Sequence, residues 1–172
     1  MFLCIMRKKI VIAALATVVM IVVMRWMSEG LESKYSPAGI ISFELAKNYS
    51  EAKDIMGEVG AKRLQWNTAM DFLFIVAYTL FFSFCCKALM DNYRSSGLKT
   101  IGLIFLELSV LVGVLDLVEN ISMLITLGGY GSNTSVTISH WSAVAKFSLA
   151  ALVLFYIIVA SILMYFISKK KA

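Results

Sequence analysis

The chain is poor in the residues that build most catalytic and metal centres: it has one histidine, one proline and three cysteines in 172 residues. The one histidine, His140, lies at the outer rim of the last apolar run and is a poor haem ligand there, and no His/Cys/Asp cluster falls at a metal-ligand spacing. Cys4, Cys85 and Cys86 lie in or beside apolar runs, so the loops expected outside the membrane hold no cysteine. That excludes a structural disulfide there, and with it a membrane thiol oxidoreductase, which needs exposed cysteine pairs. Packing is the expected role of Cys85 and Cys86. No G-x-S-x-G, HExxH or phosphate-binding loop occurs, and Gly128-Gly129-Tyr130-Gly131 follows no βα unit. Internal repeats, heptad arrays and low-complexity tracts are also missing. These absences leave no cofactor and no metal to expect.

Charge is scarce as well, at 16% of residues, with a formal net charge of +5. The excess is not a footprint for nucleic acid, because Arg7, Lys8, Lys9, Lys87, Arg94, Lys99, Lys169, Lys170 and Lys171 all flank apolar runs. What the chain has in abundance is hydrophobic sequence, 60% of its residues, against ~45–50% in soluble domains. Runs at Ile10–Met27, Trp66–Leu89, Thr100–Leu127 and Trp141–Ser168 approach or exceed the ~20 residues that a membrane span needs. The expected architecture is therefore an all-α, four-transmembrane-helix bundle, with residues 1–172 forming a single membrane domain.

The first run has the basic flank and short core of a signal peptide. It lacks a small-x-small cleavage site, and Arg25-Trp26 reads as an interfacial anchor, so retention is expected. Met6-Arg7-Lys8-Lys9 also reads as a natural start, making residues 1–5 an extension. The basic flanks place Arg7–Lys9, the 87–99 connector and Lys169–Lys171 on the cytoplasmic side, so both termini face the cytoplasm. Lean loops and a lysine-rich start suggest a bacterial inner membrane. Ser28–Gln65 and Gly128–His140 then lie outside, and the sequons at Asn48 and Asn133 read as chance matches.

The long outer connector 28–65 is expected to be amphipathic and helical, lying on the interface or folded over the bundle. Ser36-Pro37 reads as an N-cap and first helical position. Ile41, Leu45, Tyr49, Ala52, Ile55, Met56 and Val59 recur at helical spacing between charged residues, and Asn48-Tyr49-Ser50 is a natural break. Glu44 in this segment is expected at the surface.

Ionisable residues inside the spans carry the functional signal, since a charge at mid-bilayer costs at least ~2.5–3.5 kcal/mol. At about 100° per residue, Asp116, Glu119 and Asn120 share one stripe with Ser109, Gly113 and Met123. Asn67, Asp71, Tyr78 and Cys85 share a face of the second span, and Lys146 shares one with Ser139, Ser142, Ala143 and Ala150. Asp71, Glu119 and Lys146 each fall ~10 Å to the outer side of mid-span. The expected result is an outward-opening polar cavity.

In this cavity Asp116 and Glu119 form a protonatable pair, Asp71 a charge partner, and Lys146 an anion-binding or tuning group. Asn120, Tyr78, Ser142 and Asn67 are the expected ligand-orienting residues. Three acids against one lysine require either a bound proton or a cationic group. The Asp116/Glu119/Asn120/Asp71 oxygens suit a divalent ion, but Lys146 beside them argues against a permanent one. His140 at the rim and Glu107 on the opposite face of its helix stay outside the site.

Three functions compete. The first is binding, with acid/base processing, of a membrane lipid or small amphipathic molecule. The second is proton- or cation-coupled transport by a homo-oligomer. The third is a structural or assembly role in which a buried Lys146 ion pair only sets helix register.

Overall fold

The computed structural model describes residues 2–93 and 95–169. Among the flanking positions discussed above, Met1, Arg94, Lys170 and Lys171 lie outside the described residues, as do the side chains of Cys4 and Lys169. The described residues form six α-helices and no strand: α1 (Phe2–Met27), α2 (Ile40–Glu44), α3 (Tyr49–Ile55), α4 (Ala61–Asn92), α5 (Ser96–Ile125) and α6 (Asn133–Lys169). Four helical stretches are long and apolar enough to cross a membrane, namely Met6–Met27, Tyr49–Asn92, Ser96–Tyr130 and Asn133–Phe166. The only proline, Pro37, lies outside all of them, so none is broken by a proline. α6 has 37 residues, about 55 Å at a rise of 1.5 Å per residue. That exceeds a hydrocarbon core of about 30 Å, so its ends project beyond the apolar layer.

α4 and α5 form the centre. α4 packs on α1 and α5, α5 packs on α6, and α4 touches α6 more lightly. Close approach of α4 and α5 depends on small residues: a Cβ at Gly113 would collide with Thr79, and one at Gly102 with Met90. Farther along, Cys86, Leu89, Val153, Tyr156 and Ala160 form a core in which Phe105 stacks on Tyr156 at 4.1 Å. Cys86 is thus a packing residue.

α1 is peripheral. Ala13 is its only buried side chain among those described, and it presents Val11, Ile12, Leu15, Val18, Val19 and Val22 to the surroundings. In water such a face would be untenable; against lipid tails it needs no cover. α1 packs chiefly on α4 and not closely on α6, which leaves a gap along the side of the bundle.

Residues 28–60 fold over one end of the helices. Leu31, Phe43, Ala46, Ala52, Ile55 and Val59 join Leu64, Met123, Leu127 and Val136 in one buried cluster. The start expected at Ser36-Pro37 is corrected: the first helix of this segment begins at Ile40, after Gly39 at φ 61°. Ser36 does not cap because its hydroxyl donates to the Gly39 carbonyl at 2.6 Å, closing a turn. The break at Asn48 is present, and Asn48 caps α3 by accepting from the Glu51 amide at 2.9 Å. The Glu51 carboxylate in turn accepts from the Lys47 amide at 3.0 Å. A π-helical turn, Met56–Gly60, then leads into α4. Two long-range bonds pin the segment to α6: the Tyr49 amide donates to Asn133 Oδ1 at 2.8 Å, and His140 Nδ1 meets the Leu45 carbonyl at 3.0 Å.

Candidate functional site

Asp116 and Glu119 sit three residues apart on α5, a spacing that brings both carboxylates to one face of the helix. Lys146 of α6 reaches between them, its Nζ donating to Asp116 Oδ1 at 2.6 Å and to Glu119 Oε1 at 2.8 Å. A third carboxylate, Glu44 Oε2 from α2, stands 3.6 Å from the same nitrogen. All four residues are buried, and Glu119 is fully so. The other Asp116 oxygen accepts the Tyr78 hydroxyl at 2.7 Å, and Asp71 Oδ2 accepts Asn120 Nδ2 at 2.8 Å. One lysine, four acids, one phenol and one amide thus converge from α2, α4, α5 and α6.

The expected exposure of Glu44 is corrected. Glu44 is 9% exposed, held in by the α2 turn packed under Phe43 and Ala46. Burial holds its carboxyl above the ordinary carboxylate range; the Lys146 ammonium opposes this and the Asp116 charge reinforces it. A signal was present in the sequence, since Glu44 is the only charged residue between Lys34 and Lys47 and shares a helical face with Ile40.

The other expected site residues separate into groups. Asp71, Tyr78, Asp116 and Lys146 line a common cavity, whereas Glu119 and Asn120 support the cluster without lining it. Ser142 is buried one turn before Lys146 but does not line the cavity, and among the described residues no hydrogen bond joins it to the cluster. Asn67 is buried outside the cavity and donates to Ser28 Oγ at 3.2 Å. Glu107 is exposed on α5, apart from the cluster.

The cavity measures about 640 Å³, within the range usual for small-molecule sites. Polar groups form only one part of its wall. The rest is apolar, chiefly Ile21, Phe74, Phe81, Phe82, Phe147 and Leu154. It occupies the gap between α1 and α6, with α4 behind it, and Arg25, Ser28 and Glu32 at the end nearest residues 28–60. Ile21, Phe147 and Leu154 are themselves exposed, so the cavity opens sideways from the bundle. The whole is a groove with an apolar track and a charged patch, the outline of an amphiphile. The Lys146 ammonium already occupies the point between Asp116, Glu119 and Glu44 where a metal ion would otherwise sit.

Comparison with protein-family models, with characterised proteins and with solved structures finds no match to this chain, so the geometry carries the functional reading by itself.

Proposed function

We propose that this protein takes a membrane lipid or small amphipathic molecule sideways from the bilayer into the α1–α6 groove and holds its head against the buried cluster. One observation carries this reading: an apolar groove, open to the flank of the bundle, runs up to Asp71, Asp116, Glu44 and Lys146. An apolar chain between α1 and α6 stays in surroundings like those it leaves, while the head meets the polar groups that the bilayer interior lacks. Asp71 is the acid best disposed to exchange a proton with a bound head, because it is less buried than the others and Asn120 holds only one of its oxygens. Asp116 and Glu119, with Lys146 and Tyr78, set the field around it. On this reading the protein sits in a bacterial inner membrane, and the positive-inside tendency of its basic flanks supports cytoplasmic termini with the 28–65 connector outside.

The test is native mass spectrometry of protein released from membranes in mild detergent. Wild type should carry an amphiphile, and Ile21→Trp or Leu154→Trp, exposed groove-wall positions that tolerate bulk, should lose it. A bare wild type that no lipid extract stabilises would sink the proposal.

An architectural reading has its own support in the two short hydrogen bonds that consume most of the Lys146 ammonium. On that reading the cluster fixes helix register and the position of residues 28–60, and filling the groove with tryptophan changes nothing that the cell can detect.

A further inference from the structure

The cluster has more acceptors than donors, and its charge does not balance. Four carboxylates face one ammonium, and the remaining donors, Tyr78 and Asn120, are neutral. Glu119 Oε2 and Glu44 Oε2 are buried without a hydrogen-bond donor. Glu44 is only 9% exposed, yet it lines the cavity together with Asp71 and Asp116, so three acids stand at the wall a ligand would meet. Unpartnered buried oxygens of this kind cost roughly 1–3 kcal/mol each, and more when charged.

We infer that the head group the groove accepts is a primary ammonium on an apolar chain, seated between Glu44, Asp71 and Asp116. This rests on the amphiphile-binding reading above. An ammonium moves both deficits in the right direction, bringing one of the three missing positive charges and three donors. A phosphate or carboxylate head supplies the reverse: it adds negative charge beside three acids, and Lys146, the cation of the cluster among the described residues, is already engaged by Asp116 and Glu119. Arg25 is the other basic residue on the wall, but it is exposed and shares that wall with Glu32. The aromatic wall agrees with a cation as well. Phe74, Phe82 and Phe147 flank the polar patch, and Lys146 Nζ itself lies 4.9 Å from the Phe147 ring centroid, a distance at which a cation is attracted to the ring.

Competition between heads on one chain length decides the matter. Wild-type protein in phosphatidylcholine nanodiscs is offered dodecylamine, dodecanol and dodecanoate together at neutral pH, and the bound fraction of each is read by native mass spectrometry. Dodecylamine should be retained over dodecanol by roughly tenfold or more, Ile21→Trp should remove it, and Glu44→Gln should shrink the preference. If amine and alcohol bind equally and both are lost in Ile21→Trp, the groove stands and the ammonium inference falls, because protons rather than a ligand then fill the deficit. Preferred retention of dodecanoate overturns the inference in the same way. If none of the three binds, the groove reading falls with it. The wild-type comparison decides even if Glu44→Gln does not fold.

Discussion

Glu44 Oε2 stands 3.6 Å from Lys146 Nζ, although Glu44 belongs to a five-residue helix outside the four long apolar stretches. The contact fastens residues 28–60 to α6 at the level of the charged cluster. It makes the segment part of the site wall.

Lys146→Met should be the most damaging single change in the bundle. It leaves Asp116 and Glu119 buried without a counter-charge, and breaking such a network costs about 3–5 kcal/mol. Denaturant unfolding in detergent measures it. An unchanged midpoint would mean that the acids are already neutral and the ion pairs are not what holds α5 to α6.

Asp116→Asn and Glu119→Gln preserve shape, and in the first the amide oxygen that replaces a carboxylate oxygen can still accept from Tyr78. Both should fold and both should lose the co-purified amphiphile, as read by mass spectrometry beside wild type. Full retention in both variants would remove the two acids from the function.

Docking of residues 28–60 should weaken as pH rises. The Glu44 carboxyl is held above its ordinary range, chiefly by burial, so the folded state binds its proton more tightly than the unfolded state does. Its contribution is therefore fully present below the ordinary carboxylate pKa and is lost as pH climbs from there through the raised value. The groups facing it are Lys146 from α6, Asp116 and Glu119 from α5, and Asp71 from α4. Amide hydrogen exchange over residues 40–46, corrected for intrinsic rates, should accelerate across that interval in wild type and show a flat profile in Glu44→Gln. A flat wild-type profile would place the Glu44 titration outside the docking equilibrium.

Gly113 and Thr79 should be coupled. Gly113→Ala forces its Cβ into Thr79 and should cost about 1–3 kcal/mol as overpacking. Thr79→Ala opens that space, so the double variant should recover part of the loss in a thermodynamic cycle. Strict additivity would show that α4 and α5 can separate freely at this level.

Glu107→Gln should change stability by no more than about 0.5 kcal/mol and leave amphiphile retention intact, because Glu107 is exposed and apart from the cluster. Lost proton or cation flux in reconstituted vesicles carrying this variant would instead favour the transport reading, with a charge path through the other half of the bundle.

Much of this arrangement is legible in the linear chain. Helical periodicity places Asp116, Glu119 and Asn120 on one stripe, and the constant rise per residue puts Asp71 and Lys146 near the same level. The structure brings all five together with Tyr78. Ser142 and Asn67 share faces with these residues but not partners, because a face of a helix is wider than the contact made through it. Asp71 goes to Asn120, while Lys146 takes Asp116 and Glu119.

Membrane class, four long apolar helices and the level of the charged groups follow from the sequence itself, because hydrophobic run length and a 3.6-residue repeat are local properties. The burial of Glu44, the gap between α1 and α6 and the apolar groove that fills it depend on which helices pack against which. Side chains far apart in the chain decide that jointly: Gly113 meeting Thr79 draws α4 to α5, and Phe43 meeting the ends of α4, α5 and α6 carries Glu44 down onto Lys146. No local pattern encodes those meetings, so only the tertiary structure turns a set of expensive charges into a shaped site.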